Sequence, residues 1–126
     1  MTTSSGEASH AEGNVTEATG DYSHAEGQSS KATNNYSHAE GNSTTASGQG
    51  AHSEGNATNA TGDYGHAEGA NTTAQGGMSH AEGSGSLASG LGSHAEGTLT
   101  KASGNSAHAE GKSSVASGSF SHAEGL

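Results

Sequence analysis

Residues 37–69 read SHAEGNSTTASGQGAHSEGNATNATGDYGHAEG, and within them a His-Ala-Glu-Gly element, once His-Ser-Glu-Gly, returns every fourteen residues. The same spacing holds along the whole chain, whose nine histidines are His10, His24, His38, His52, His66, His80, His94, His108 and His122. Individual positions keep their identity from copy to copy, which is typical of stacked structural units and not of a disordered linker. Because an active site needs one set of residues and not nine, the repetition favours a structural role.

The composition limits what this chain can build and bind. Only 26% of the residues are apolar and most of these are Ala, so a single chain cannot enclose a large core. The formal net charge is -10, with only three Lys or Arg residues, which disfavours nucleic acid and anionic membranes as partners. Cys is absent, and no apolar run is long enough for membrane insertion. The first residues lack the basic and apolar regions of a signal peptide, so we expect a mature fragment or another route of export.

Ala-x-Gly recurs at nearly every seventh residue, but the chain does not fit a coiled coil. A Gly in every heptad costs a helix about 1 kcal/mol, and no Leu/Ile seam offsets that cost. Between the glycines the pattern alternates instead, as in Ser23–Gly27, with Ser and Ala on one face and His and Glu on the other. We therefore predict an all-β fold, a parallel β-roll or β-solenoid, in which each fourteen-residue coil has two strands of about five residues and two two-residue corners. Residues 1–126 form one repeat domain of nine such coils, with only small side chains inside.

Glycines mark the expected corners of each coil. One position of the repeat, which we call the Gly20 slot, is Gly in every coil from Gly6 to Gly118 except for Asn34. Asn is the residue other than Gly that best tolerates positive φ. This slot is therefore predicted to turn the chain in the left-handed conformation. The predicted corner glycines are Gly13, Gly20, Gly27, Gly41, Gly48, Gly55, Gly62 and Gly69.

The outward positions of the two strands differ in how much they vary. In the second strand the position is occupied by Glu17, Lys31, Thr45, Asn59, Thr73, Leu87, Lys101 and Val115, the variety expected of a solvated surface. In the first strand it is always His, with Glu two residues later, and the position two residues before His holds every aromatic residue and Met78. An unvarying polar pair beside intermittent aromatics predicts a shared subunit interface. Its predicted residues are His10, Glu12, Tyr22, His24, Glu26, Tyr36, His38, Glu40, His52, Glu54, Tyr64, His66, Glu68, Met78, His80, Glu82, His94, Glu96, His108, Glu110, Phe120, His122 and Glu124.

The unit S-H-A-E-G-x-x-T-x-A-S-G-x-Y resembles the YadA-like head repeats of trimeric autotransporter adhesins, and related repeats occur in phage tail-fibre proteins. The resemblance covers essentially the whole chain and implies a left-handed, homotrimeric roll. In that family a Ser-Val-Ala-Ile-Gly strand faces the threefold axis, which places His24 in the Val position and Glu26 in the Ile position. This chain departs from the family by putting polar residues at both positions.

Three interpretations of the repeated His and Glu remain open. In the first, His of one subunit hydrogen-bonds Glu of a neighbour in every coil and fixes the subunit register. In the second, three His per layer form a metal column around the axis; in the third, the His side chains are free in solvent. The first is preferred, so we expect no catalytic residue, no metal and no other cofactor. Protonation of nine His should change assembly or solubility between about pH 7 and pH 5.

The preferred function is non-enzymatic: the rigid trimeric head of a surface adhesin or fibre that binds host-surface or matrix molecules. Alternatives are an extracellular filament subunit that stacks end to end in register, and a segment of a phage tail fibre. An ice-binding surface is less favoured because the second strand mixes Glu, Lys, Leu and Thr outward. The expected partner is therefore a second copy of the chain, and the expected location is extracellular, on a cell or virion surface.

Overall fold

The computed structural model describes all residues 1–126 and consists of eighteen strands, numbered β1 to β18 in chain order. The odd-numbered strands have two residues each: Thr3–Ser4, Glu17–Ala18, Lys31–Ala32, Thr45–Ala46, Asn59–Ala60, Thr73–Ala74, Leu87–Ala88, Lys101–Ala102 and Val115–Ala116. The even-numbered strands are His10–Asn14, His24–Gln28, His38–Asn42, His52–Asn56, His66–Ala70, His80–Ser84, His94–Thr98, His108–Lys112 and His122–Glu124. No helix is long and apolar enough to cross a membrane.

The strands form two parallel nine-stranded sheets, one from the odd strands and one from the even strands. We call them the short-strand sheet and the long-strand sheet. Each strand pairs with the equivalent strand fourteen residues away, so that His24 lies beside His38 and Ala25 beside Ala39. This confirms the predicted parallel β-solenoid of nine fourteen-residue coils with two strands per coil.

The predicted strand and corner lengths are wrong for half of each coil. The second strand has two residues and not about five, and the connection that follows it takes five residues, as in Thr33–Ser37 between β5 and β6. The equivalent connection between β3 and β4 shows how the chain bends. Gly20, Asp21, Tyr22 and Ser23 form a four-residue turn, closed by the Ser23 amide donating to the Gly20 carbonyl at 3.3 Å. The other corner has two residues, as predicted.

Small side chains fill the space between the two sheets. The core consists of sixteen buried Ala residues, joined by buried Ser and Thr. The hydroxyls bond one another or backbone carbonyls: Thr44 donates to Ser30 at 3.0 Å, and Ser23 donates to the Gly20 carbonyl at 2.6 Å. These contacts confirm that the slots beside His and their counterparts in the second strand face inward.

The predicted reason for Gly at the Gly20 slot is wrong. No residue of this slot, from Gly6 to Gly118 and including Asn34, has positive φ. Gly is favoured because a Cβ on Gly20 or Gly62 would overlap a backbone carbonyl of the next coil unless the backbone shifted. Asn34 shows that one coil accommodates a Cβ here, and its side chain accepts from the Asn35 amide at 2.9 Å and donates to the Ser47 carbonyl at 3.1 Å.

Left-handed backbone occurs at other positions of each coil. Five of the predicted corner glycines have positive φ, between 101° and 115°, but lie within the long strands: Gly13, Gly27, Gly41, Gly55 and Gly69. The corners themselves contain the positions equivalent to Val15 and to Tyr22 in each coil, which we call the Val15 slot and the Tyr22 slot. There, residues as large as Tyr, Phe and Leu have φ near 60°. From Tyr22 onward each such residue bonds the coil before it, as the Tyr36 amide does to the Asp21 carbonyl at 2.9 Å, which holds the chain in this unfavourable conformation.

Candidate interaction face

The outer surface of the long-strand sheet carries one continuous ladder of His and one of Glu, which together we call the His/Glu face. Strand alternation points Ala25 inward and His24 and Glu26 outward, and the parallel register repeats this arrangement in every coil. From His38 to His108 the imidazole rings stack with centroids 4.7–4.8 Å apart and planes within 7° of parallel. This spacing equals the distance between neighbouring strands, so the fold itself sets the ring separation.

Each His lies close to the Glu two residues later in its own coil. The distance from His Nε2 to Glu Oε2 is 3.1 Å at His24 and Glu26, and 3.4 Å at His94 and Glu96. The nearest carboxylate within the chain thus comes from the same strand. The intersubunit His–Glu bond expected from the sequence stays a prediction. In an assembly, a second copy would have to bond His and Glu atoms that already lie close to each other within one chain.

Most of these His–Glu approaches lack hydrogen-bond geometry. The pairs of His10 with Glu12 and His24 with Glu26 are hydrogen bonds at 3.1 Å. In the central coils the Nε2 atom is covered and has no hydrogen-bond partner, at His38, His52, His66, His80, His94 and His108. A covered polar atom without a partner costs free energy, so the central ladder has unused bonding capacity.

The surroundings of His52 and His80 favour neutral imidazole at these two positions. Burial lowers the pKa of His52 below its ordinary value, the neighbouring His38 and His66 lower it further, and Glu54 and Glu40 oppose this. The pKa of His80 is lowered for the same reasons, with burial again the largest cause. Only about a third of the His52 and His80 side chains is exposed, because each ring covers its neighbour.

The aromatic positions lie beside this face, in the turn before each long strand. Tyr22, Tyr36, Tyr64, Met78 and Phe120 are exposed, at 51–84% of their surface. Tyr22 and Tyr36 stack with centroids 5.4 Å apart, but Gly50 and Gly92 interrupt the row. The exposed row is therefore discontinuous, whereas the His/Glu face is not.

The seryl hydroxyls next to His point away from it. Ser23 is buried and bonds the Gly20 carbonyl, whereas His24 faces outward. A Ser nucleophile and a His base must share a hydrogen bond, which this arrangement prevents in the repeat.

A surface depression lined by Glu96, Glu110 and Glu124 is open to solvent.

The positions of the left-handed corners were not predicted from the sequence, although the sequence contains a signal for them. The Tyr22 slot includes Gly50 and Gly92, and the Val15 slot includes Asn71 and Gly85, the residue types that tolerate positive φ. The larger residues at the other copies of both slots hid this pattern.

No protein-family model matches the chain, and a search of curated proteins found no significant sequence relative.

Proposed function

We propose that this chain is a rigid, non-enzymatic rod that associates with copies of itself through the His/Glu face and presents its other surfaces to a molecule on a host cell or in a matrix. The supporting observation is the contrast between two outward surfaces built on one interior. The short-strand sheet accepts Lys31, Thr73, Leu87 and Val115 at equivalent positions, so the fold does not dictate what stands outward. The His/Glu face repeats one pair in every coil, which calls for a reason outside the single chain.

The resemblance to YadA-like heads makes a homotrimer the proposed assembly, and a left-handed roll the proposed hand. In such a trimer the three His/Glu faces point toward the axis, where the unpartnered Nε2 atoms could bond a neighbouring subunit. The proposed place is the head of a surface adhesin or fibre, outside the cell or on a virion. A phage tail-fibre segment has the same mechanical role.

Sedimentation equilibrium and light scattering test the association. Three chains of 12.1 kDa give a particle of about 36 kDa, which we expect at neutral pH. The variant His52→Lys/His80→Lys should be a monomer, because Lys does not stack and adds charge to a half-buried surface. The matched control Asn59→Lys/Leu87→Lys adds the same charge to the short-strand sheet and should keep the wild-type mass.

A wild-type mass of 12.1 kDa at all concentrations would refute the proposed association. Dissociation of the control to the same extent would assign the effect to net charge and not to the His/Glu face. Electron microscopy of the same sample distinguishes the filament alternative, since long fibres would show end-to-end growth and discrete rods would not.

A further inference from the structure

The middle of the His/Glu face brings together sets of potential metal ligands. Three overlapping triads occur, in each of which two His of successive coils flank one Glu: His66–Glu68–His80, His80–Glu82–His94 and His94–Glu96–His108. The ligand atoms within each triad all lie within 4.8 Å of one another. Two imidazoles and one carboxylate are a donor set that Zn²⁺ and similar divalent transition metals bind well.

The distances within one coil suit a tetrahedral ion. Ligands at 2.0–2.1 Å from a tetrahedral ion are about 3.3 Å apart. The Nε2–Oε2 distances are 3.4 Å for His66 and Glu68, and 3.4 Å for His94 and Glu96. An ion can therefore bridge each pair with little change in this distance.

The second His of a triad has to turn toward the ion. Stacked rings with planes 2° apart, as in His66 and His80, do not aim both lone pairs at one point. About a third of each His side chain is exposed, but the rings also lie in a continuous stack, so the second His turns toward an ion only where the stack opens beside it. The unpartnered Nε2 atoms of both residues lose no hydrogen bond when they turn.

Neighbouring triads compete for the same nitrogen. His80 belongs to the first two triads and His94 to the last two, and each Nε2 has one lone pair for one ion. Ions in adjacent triads would also lie about 4.8 Å apart and repel each other, whereas ions in alternate triads lie about 9.6 Å apart. Two ions in the outer triads therefore satisfy more ligands than any other filling.

We propose that His66–Glu68–His80 and His94–Glu96–His108 each bind one divalent transition metal ion, that water completes the coordination, and that Glu82 between them binds none. The ions join successive coils through side chains and use the nitrogens that the fold leaves without partners. This assignment departs from the expectation of no metal. It does not require the proposed self-association, because every ligand comes from one chain, but the Nε2 atoms that bind an ion cannot also bond a neighbouring subunit.

Zinc binding to the full chain tests the proposal. Zn²⁺ is titrated against a chromophoric chelator to obtain affinity and stoichiometry per chain, with native mass spectrometry to count bound ions and circular dichroism to confirm folding. We expect two tight ions for the wild type. Glu68→Gln should bind one ion, and Glu68→Gln/Glu82→Gln/Glu96→Gln, which removes the carboxylate from every triad, should bind Zn²⁺ more weakly by about tenfold or more.

Glu82→Gln is the matched control, since it makes the same change on the same ladder, one coil away from Glu68 and one coil away from Glu96. It should still bind two ions. Equal losses in all three variants would overturn the proposal in favour of general attraction to an acidic surface, as would four or more ions of equal affinity. No binding at 100-fold molar excess of Zn²⁺ would also overturn it. Association is measured separately in EDTA, so a monomeric protein that binds two ions would refute only the proposed function.

Discussion

The two sheets share one interior but differ in what they place outside. Ala74 of the short-strand sheet and Ala67 of the long-strand sheet are equally buried, and each contributes to the same Ala core. Outward, the short-strand sheet varies from charged Lys101 to apolar Leu87, whereas the long-strand sheet repeats His and Glu. The difference shows that packing of small residues fixes the fold, and that the outward residues are free to serve another purpose.

The largest expected effect comes from the close approach of successive coils that both sheets need. Gly62→Ala should lower the free energy of unfolding by about 3 kcal/mol, because the Gly76 carbonyl must move away from the new methyl group. Urea denaturation followed by circular dichroism measures this. The control is Gly77→Ala, whose methyl group meets Leu91 Cδ1 at 3.3 Å and whose backbone is not left-handed. Equal losses in both variants would show that the inter-coil contact is not limiting.

The inward and outward positions of a single strand provide the next test. Ala74→Leu forces a large side chain between the sheets and should cost about 1–3 kcal/mol, whereas Thr73→Leu on the outside should change stability by less than about 0.5 kcal/mol. Leu already stands at the next outward position, Leu87, so the control fits the surface. Thermal denaturation of the pair compares them directly, and a larger loss for the outward variant would contradict the assignment of the faces.

Acid should destabilise the fold through His52 and His80 of the long-strand sheet. The pKa of His52 and of His80 is lower in the folded chain than the ordinary 6.5, so below about pH 6.5 the unfolded chain binds more protons. The free energy of unfolding should therefore fall as the pH drops through this value, and level off below the folded pKa. Urea denaturation at pH 7.5 and 5.5 in EDTA measures the drop. His52→Asn/His80→Asn should reduce it, and an unchanged drop would assign the pH dependence to other groups.

The smallest effect is expected on the varied surface. Lys31 lies 3.3 Å from Glu17, but both side chains are well exposed, so Lys31→Ala should cost no more than about 0.5 kcal/mol. The control Lys101→Ala removes a Lys that forms no ion pair. Chemical denaturation at low and high salt compares the two, and a loss above 1 kcal/mol for Lys31 alone would mean that this surface contributes more than its variety suggests.

Much of the candidate site was predictable from the pattern of residues alone. Period-two alternation placed Ala25 inside and His24 and Glu26 outside, and the fourteen-residue repeat aligned all nine His in one ladder. The pairing of His with Glu in its own coil was not predicted. It depends on side-chain rotamers that bring residues two apart on a strand together, which periodicity does not specify.

The coil length, the parallel stacking and the small interior follow from the amino-acid sequence, because local alternation and identity at a fixed spacing specify them. Contacts between coils explain why Gly is favoured at Gly62 and where the chain turns left-handed. Both depend on contacts between successive coils: a carbonyl of the next coil lies where a methyl group on Gly62 would stand, and a bond to the previous coil holds Tyr36 at positive φ. Such constraints arise only when one coil lies on another. Interpreting Gly from its local sequence as a flexible corner therefore predicted the left-handed residues at the wrong position.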